Sequence, residues 1–236
     1  MSAFPSGDPD FLFPPPAPAV LAIHGEARRF PVRRIFCVGQ NYAAHAREMG
    51  KDPSREQPCF FSKPADAVVA SGATIPYPPR TADLHHEIEL VAAIGRGGAD
   101  IAREDALAHV FGYAAGIDLT RRDLQSEARK AGRPWDLSKG FDNSAPLGAL
   151  ALAERIGHPG KGRIRLAVNG ATRQDADLSD MIWSVAEIVA ILSQFVRLEA
   201  GDLIFTGTPA GVGPIVAGDH VTGEIDGVGT VELTVT

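Results

Sequence analysis

Glycine and proline interrupt the apolar segments of this chain every few residues, and this spacing favours short β-strands. The 236 residues include 25 glycines and 18 prolines. Segments such as RIFCVG (34–39) and CFFSK (59–63) have strand composition, and Val231, Leu233 and Val235 alternate with polar residues as on a half-buried strand. The predicted strands outnumber the helices and do not alternate strictly with them. This argues against a doubly wound sheet and predicts an α+β fold dominated by antiparallel or mixed β-structure.

Four segments have the composition of helices, including a short one in EDALAHVFGYAAGIDL (104–119) that precedes a buried strand. The clearest is DMIWSVAEIVAILSQFVRL (180–198), which predicts one long amphipathic helix that covers the core. Its apolar stripe comprises Ile182, Val185, Ile188, Val189 and Leu192. A short helix is predicted in NYAAHAREMG (41–50), closed by Gly50, and a charged one in TRRDLQSEARKAG (120–132), ended by Gly132.

Composition limits the class of protein. Hydrophobic residues make up 44% of the chain and charged residues 22%, which are ordinary globular values. A net charge of −6, without a basic stripe, argues against a nucleic-acid partner. Neither a membrane span nor a secretory signal is evident, so the expected location is the cytoplasm. Both cysteines, Cys37 and Cys59, are predicted to pack in the core. We expect a Pro-rich arm over residues 1–30 and one domain over residues 31–236.

The segment DLHHEIELVAAIG (83–95) carries two carboxylates on a predicted strand. Side chains at i and i+2 of a strand point the same way, so Glu87 and Glu89 lie side by side, about 7 Å apart. Like charges at that distance repel, and a divalent cation would offset the repulsion. The alternative is a solvated strand face.

Two glutamates need at least one further ligand, and Asp118 is the best candidate. It ends the apolar segment VFGYAAGID (110–118), just before a predicted helix, where a short carboxylate can point into a cleft. Ligands that are all oxygen suit Mg²⁺, Mn²⁺ or Ca²⁺. The alternative for Asp118 is a helix cap.

Other segments carry weaker chemical signals. His45 and Glu48 lie at i and i+3 of a predicted helix, where a carboxylate can orient an imidazole as general base; surface pairs of this kind are common. The Gly-rich segment FTGTPAGVGP (205–214) lacks the features of a phosphate loop, but Thr206 and Thr208 could hold a substrate carboxylate. Lys139, in WDLSKGFD (135–142), is by default a surface lysine.

Taken together and in order, these segments resemble the fumarylacetoacetate hydrolase family. The resemblance runs from about residue 33 to the C-terminus. The segments that carry it are FCVGQNYAAHAREMG, FFSKPADAVV, HHEIELVAAIG, GIDLTRRDLQ, WDLSKGFD, MIWSVAEIVAILS and GDLIFTGTPAGVGP. The resemblance implies a mixed β-sandwich roll with a short lid helix, usually in a homodimer. It also implies Mg²⁺ or Mn²⁺, with Ca²⁺ as a crystallographic substitute, held by Glu87, Glu89 and Asp118.

The same resemblance implies roles for further residues. His45 with Glu48 would activate water on a mobile lid helix, Lys139 would act as an electrophile, and Gln125 and Thr208 would contact substrate. Two positions depart from the pattern: relatives that look like acylpyruvases carry an arginine where this chain has Gln40 and an acidic residue where it has Ala44. Gln40 is expected to contact the distal part of the substrate, but it cannot form a charged fork with a carboxylate as arginine can.

The implied activity is hydrolytic cleavage of a C–C bond in a 2,4-dioxo acid, a small dicarboxylic oxo acid. The most specific expectation is conversion of 3-fumarylpyruvate to fumarate and pyruvate in aromatic catabolism of the gentisate type. Within the family, oxaloacetate decarboxylation or tautomerisation and hydration or isomerisation of a 2-oxo-4-enoate remain alternatives. Outside enzymes, the alternative is a non-catalytic protein that binds small acids through a metal.

Overall fold

The computed structural model describes residue 11, residues 14–49 and residues 57–236. Five α-helices lie in this part of the chain: α1 (Ala43–Glu48), α2 (Arg122–Lys130), α3 (Asp136–Lys139), α4 (Ala153–Ile156) and α5 (Val185–Phe195). The strands are β1 (Val20–Ala22), β2 (Arg29–Pro31), β3 (Arg34–Gly39), β4 (Cys59–Lys63), β5 (Val68–Ala70), β6 (Ala73–Ile75), β7 (Leu84–His86), β8 (Ile88–Ile94), β9 (Val110–Ile117), β10 (Thr120–Arg121), β11 (Ala145–Leu147), β12 (Ala151–Leu152), β13 (Arg163–Val168), β14 (Ala171–Asp177), β15 (Asp202–Phe205), β16 (Gly213–Ile215), β17 (His220–Ile225) and β18 (Gly229–Val235).

Two large sheets dominate the fold. One has the strand order β4-β3-β15-β8-β9-β11-β5, with β12 also paired to β9, and the other has the order β14-β13-β17-β18-β6. Most pairs are antiparallel, whereas β15 with β3, β11 with β5 and β18 with β6 are parallel. The two smaller sheets are β1-β2 and β10-β7-β16. The predicted α+β fold with mixed β-structure is therefore confirmed.

Strand β8 is buried on both faces, which explains its nearly continuous apolar sequence. Ile88, Leu90 and Ala92 belong to the main core cluster, whereas Val91 and Ala93 belong to a second cluster on the opposite face. Because side chains alternate along a strand, Glu89 lies on the face of Val91. The glutamates thus share the face of the second cluster, where the strand begins.

Helix α5 covers the main core as expected but is shorter than the predicted segment. Its apolar stripe from Val185 to Leu192 is buried, whereas Ile182 precedes the helix. The start is fixed by a capping box, in which Ser184 and Glu187 satisfy each other's backbone N–H groups. This cap, which the periodicity does not reveal, sets the first helical residue at Val185.

Two other expectations are tested at single residues. Cys37 is buried, but Cys59 is exposed, so the prediction that both cysteines pack in the core is wrong for Cys59, which lies on the edge strand β4. The predicted helix end at Gly50 and residues 1–10, 12 and 13 of the predicted Pro-rich arm lie outside the described residues. Within the predicted arm, β1 pairs with β2 and buries Leu21 and Phe30. None of the described helices is long and apolar enough to cross a membrane.

Candidate active site

Three buried carboxylates meet where β8 begins and β9 ends. Glu89 lies on β8, Glu87 immediately precedes it, and Asp118 immediately follows β9. Because the two strands are antiparallel neighbours, the start of one lies beside the end of the other, and the Asp118 N–H donates to the Glu87 carbonyl at 2.8 Å. One carboxylate oxygen from each residue lies within 4.8 Å of the others.

The burial of these carboxylates excludes the simpler interpretations of each residue. Glu87, Glu89 and Asp118 are only 4%, 1% and 0% exposed, so a solvated strand face is wrong. Asp118 does not cap the following helix either, because α2 has no side-chain cap. The structure thus brings together the three residues that the sequence nominated as metal ligands.

Three cations of the described chain lie against this cluster: Lys139, Arg122 and Lys63, the last of them beside Asp118. The Lys139 ammonium donates to Glu87 Oε2 at 2.8 Å, to Asp118 Oδ2 at 2.7 Å and to Thr120 Oγ1 at 2.6 Å. Arg122 forms a second ion pair with Glu87. Burial alone would raise the pKa of Glu87, but the positive charges of Lys139 and Arg122 hold it well below its usual value. Lys139 is 2% exposed, so the default of a surface lysine is wrong.

Glu89 differs from Glu87 because no cation pairs with it among the described residues. Its carboxylate accepts a hydrogen bond from the Gly207 N–H at 2.6 Å. Burial raises the pKa of Glu89 well above its ordinary value, and the charges of Asp118 and Glu87 raise it further. The ionised carboxylate at this position therefore lacks compensating positive charge.

The donor set fits a divalent cation. All three groups are carboxylates, the ligand type that hard cations prefer, and they converge from a rigid sheet. Asp118 Oδ1 is buried and accepts no hydrogen bond of good geometry from the described residues, although the Lys63 ammonium lies 2.9 Å away. An ion held by Glu87, Glu89 and Asp118 would supply the positive charge that Glu89 lacks.

The sequence interpretation missed Lys63 and Arg122. Lys63 is buried at the end of β4 and donates to the backbone carbonyls of Leu119, at 3.1 Å, and Lys139. It therefore ties together the segments that carry Asp118 and Lys139. The sequence feature that could have indicated Lys63 is its position at the end of a largely apolar predicted strand. The signal for Arg122 was its position three residues before Gln125, on the same helix face.

His45 and Glu48 form the predicted pair on α1. His45 Nδ1 lies 2.9 Å from Glu48 Oε2, and His45 is 4% exposed. The other oxygen of Glu48 accepts a hydrogen bond from the Gly211 N–H at 3.0 Å. This contact connects α1 with the Gly-rich segment 205–214 and holds the carboxylate that orients the imidazole.

Gln40 adopts an unusual backbone conformation at the edge of the cleft. Its φ of 60° lies in the left-handed region that non-glycine residues rarely occupy. The next residue holds the turn in place: Asn41 Nδ2 donates to the carbonyls of Trp183 at 2.9 Å and Thr206 at 2.8 Å, and Asn41 Oδ1 accepts from the Trp183 N–H at 2.8 Å. Such local strain is frequent at functional sites and is not readable from the sequence pattern.

The two threonines of the Gly-rich segment have different positions. Thr208 lines the cleft, donates to the Ile88 carbonyl at 2.8 Å and accepts from Gln174 Nε2 at 2.8 Å. Thr206 donates to the Leu90 carbonyl at 2.8 Å and does not belong to the described cleft lining, so the suggestion that it holds a substrate is not supported. Gln174, which sequence reasoning missed, reaches the site from the second sheet.

One cleft collects eight of the nine nominated residues. The lining includes Gln40, His45, Glu87, Glu89, Asp118, Gln125, Lys139 and Thr208. Glu48 lies behind His45 and reaches the cleft only through it. A histidine with its own carboxylate thus lines the same cleft as the acidic cluster.

Comparison with known proteins identifies the family. The family described as "Fumarylacetoacetate (FAA) hydrolase C-terminal" matches residues 34–236. The chain therefore belongs to the fumarylacetoacetate hydrolase family, and it is an enzyme of that family. The expected family membership and fold are confirmed.

Named relatives have different activities. A fumarylpyruvate hydrolase from Ralstonia sp is 45% identical over 78% of this chain and 95% of its own length. The mitochondrial oxaloacetate tautomerase FAHD1 of Mus musculus is 42% identical over 83% of this chain and 88% of its own length. A crystal structure of fumarylpyruvate hydrolase from Pseudomonas aeruginosa, in complex with Mn²⁺ and pyruvate, has a TM-score of 0.93 at 56% identity and covers 96% of this chain and 99% of that chain.

Proposed function

We propose that this protein hydrolyses a C–C bond in an acylpyruvate, with 3-fumarylpyruvate as substrate and fumarate and pyruvate as products. The observation that carries this proposal is the His45–Glu48 pair in the same cleft as the three carboxylates. The similarity to a fumarylpyruvate hydrolase in complex with Mn²⁺ and pyruvate supports the choice of substrate.

Glu87, Glu89 and Asp118 would hold the ion, for which we propose Mg²⁺ with Mn²⁺ as a substitute. When bound, such an ion supplies Lewis acidity at the 2-oxo acid end of the substrate. The chain contributes a fixed, buried ligand set. Lys139 and Arg122 keep Glu87 ionised, so that this ligand is ready to bind without losing a proton.

His45 would act as the general base. Its Nδ1–H points to Glu48, which leaves Nε2 to accept a proton from water. The water oxygen attacks the C4 carbonyl, the C3–C4 bond breaks, and its electron pair passes to C3. The proton held at Nε2 then returns to C3, so that one water is consumed and fumarate and pyruvate are formed.

Lys139 would stabilise the oxyanion that forms at C4. Its three N–H groups are engaged with Glu87, Asp118 and Thr120, so it must exchange one of these bonds as negative charge develops on the substrate. Thr120 is the one uncharged acceptor among the three, so the bond to it is the least costly to exchange. Gln125 and Thr208 are proposed to contact the substrate from the cleft wall, and α1 is proposed to close over it.

Oxaloacetate tautomerisation is a second candidate, because the mouse relative at 42% identity has that activity. Moving a proton within oxaloacetate needs no attacking water. Both reactions need a base, which the His45–Glu48 pair is proposed to supply, so the choice of hydrolysis is supported instead by the similarity to fumarylpyruvate hydrolases at 45% and 56% identity. The pair argues against a non-catalytic binding protein.

A substrate panel tests the proposed function. The metal-loaded protein is incubated with fumarylpyruvate, acetylpyruvate and oxaloacetate, while loss of the enol absorbance and formation of pyruvate are followed together. Hydrolysis predicts one pyruvate for each acylpyruvate enol lost, with fumarylpyruvate preferred. Enol loss from oxaloacetate without cleavage of either acylpyruvate would instead assign the tautomerase.

We also propose a homodimer. Phe11, in the expected N-terminal arm, is 53% exposed, and Val216 is 57% exposed, so apolar surface is available for a second copy. Light scattering should report twice the mass of one chain. A single-chain mass at micromolar concentration would refute the dimer.

A further inference from the structure

One face of α2 lines the cleft from its floor to its mouth. Arg122, Gln125, Ser126 and Arg129 follow the spacing i, i+3, i+4 and i+7, which places them on the same side of the helix, and all four line the cleft. Arg122 and Gln125 are buried beside the carboxylates, whereas Arg129 is exposed. The helix thus carries a polar row that ends at the mouth in a positive charge.

Arg129 differs from the other cations of the cleft. Arg122 pairs with Glu87, and Lys139 pairs with Glu87 and Asp118. Arg129 has no carboxylate partner among the described residues; its Nη1 makes a long hydrogen bond of 3.4 Å to the carbonyl of Met49, at the end of α1. Within the described part of the chain, its planar guanidinium is therefore available for a two-pronged contact with a carboxylate.

The length of the polar row matches that of the proposed substrate. Arg129 lies two turns beyond Arg122, about 10 Å along the helix axis. In fumarylpyruvate, six C–C bonds separate the two carboxyl carbons. The Cα atoms of residues i and i+2 in a protein chain are also six bonds apart, so the extended molecule spans about 7 Å. A charge-assisted hydrogen bond between the far carboxylate and a guanidinium adds about 3 Å. A substrate with its 2-oxo acid end at the carboxylate cluster would thus present its far carboxylate to Arg129.

We infer that Arg129 is the specificity-determining residue that selects a second, distal carboxylate on the substrate. The inference rests on the proposed function only for the orientation of the substrate, in which the 2-oxo acid end lies at the metal. It assigns the distal contact to α2, whereas the sequence had placed it at Gln40. It also predicts that oxaloacetate, whose carboxylates are three C–C bonds apart, is too short to reach Arg129.

Binding of two uncleavable acids tests this inference without any turnover. 2-Oxoheptanedioate has the length and both carboxylates of fumarylpyruvate but lacks the C4 carbonyl, and 2-oxoheptanoate lacks the distal carboxylate as well. Calorimetry on the Mn²⁺-loaded protein should give a dissociation constant about ten- to a hundredfold lower for the diacid, the size expected of a charged hydrogen bond. Arg129→Gln should abolish this preference and leave binding of 2-oxoheptanoate unchanged.

Lys130→Gln is the matched control. Lys130 lies in the same last turn of α2 but does not line the cleft, so this variant makes the same change of charge beside the same helix end. It should keep the wild-type preference for the diacid. Arg129→Lys should keep part of it, because lysine retains the charge without the planar fork.

Three results would overturn the inference. One is equal binding of both acids by the wild-type protein, and another is a preference that persists in Arg129→Gln. Equal weakening of both acids in that variant would also contradict it and would assign Arg129 to the position of α1 through Met49. Failure of the proposed function is separate: it would show as absent acylpyruvate hydrolysis in the wild-type protein, whatever the binding preference.

Discussion

The floor and the wall of the cleft are built in different ways. The floor is the start of β8 and the end of β9, where Glu87, Glu89 and Asp118 are at most 4% exposed and backbone pairing fixes their positions. The wall consists of α1 and the exposed end of α2, held by side-chain contacts such as that of Glu48 with Gly211. The floor can therefore hold charge in a fixed geometry, whereas the wall can adjust to a substrate.

The largest effect is expected from a change in the floor. Asp118→Asn and Glu89→Gln remove a charged ligand and should weaken Mn²⁺ binding, measured by calorimetry, by more than about a hundredfold. Asp202→Asn is the control, because Asp202 is equally buried but pairs with Arg33 and Arg34 far from the cleft. It should lower stability and leave the affinity for Mn²⁺ unchanged. Undiminished Mn²⁺ affinity in both ligand variants would exclude the site.

A change in the wall should affect hydrolysis but not metal binding. His45→Ala should lower kcat for acylpyruvate hydrolysis by about two to four orders of magnitude, the usual contribution of a general base. Oxaloacetate decarboxylation needs no attacking water and should fall much less. Glu48→Gln should give a smaller hydrolytic defect, because the amide orients the ring without its charge.

His109→Ala provides the control for His45→Ala, since His109 is also buried but contacts Arg96 away from the cleft. Both reactions are measured on the same variants with saturating Mg²⁺. Equal losses in the two reactions would show that His45 serves substrate binding or closure instead of water activation.

A smaller effect is expected from Gln174, through which the second sheet supports Thr208 in the cleft. Gln174 accepts hydrogen bonds from the Ile88 N–H at 3.1 Å and from His86, and it donates to Thr208. Gln174→Leu leaves these buried groups unpaired and should cost about 1–3 kcal/mol of stability for each group left unsatisfied. KM should rise severalfold as Thr208 loses its support. Thr172→Val, on an exposed position of the same strand, should leave KM unchanged; an unchanged KM in Gln174→Leu would remove Gln174 from the site.

The smallest effect is expected outside the cleft. Ser184→Ala removes the cap of α5 and should lower the free energy of unfolding by about 1 kcal/mol. The corresponding fall in Tm is about 2–4 °C, measurable by differential scanning calorimetry. KM and Mn²⁺ affinity should not change. A loss of Mn²⁺ affinity here would show that the floor of the cleft and the covering helix are coupled.

The same division explains what the sequence could predict. Glu87, Glu89 and Asp118 lie on or beside strands whose apolar composition is readable, so their convergence was predictable. Lys63 and Gln174 reach the site through long-range strand pairing, which local patterns do not contain. The left-handed turn at Gln40 depends on the contacts of Asn41 with distant backbone groups. Short-range periodicity therefore predicted the carboxylates of the floor better than the residues that hold the surrounding segments in place.

The central claim is that hydrolysis depends on one divalent ion held by the three floor carboxylates. The most direct measurement titrates Mn²⁺ into the metal-stripped protein while bound Mn²⁺, detected by electron paramagnetic resonance, and fumarylpyruvate hydrolysis are followed together. We expect both to rise in parallel to one Mn²⁺ per chain, and neither to rise in Glu89→Gln over the same range. Full hydrolysis in the stripped protein with excess chelator, or hydrolysis that does not follow bound Mn²⁺, would contradict the central claim.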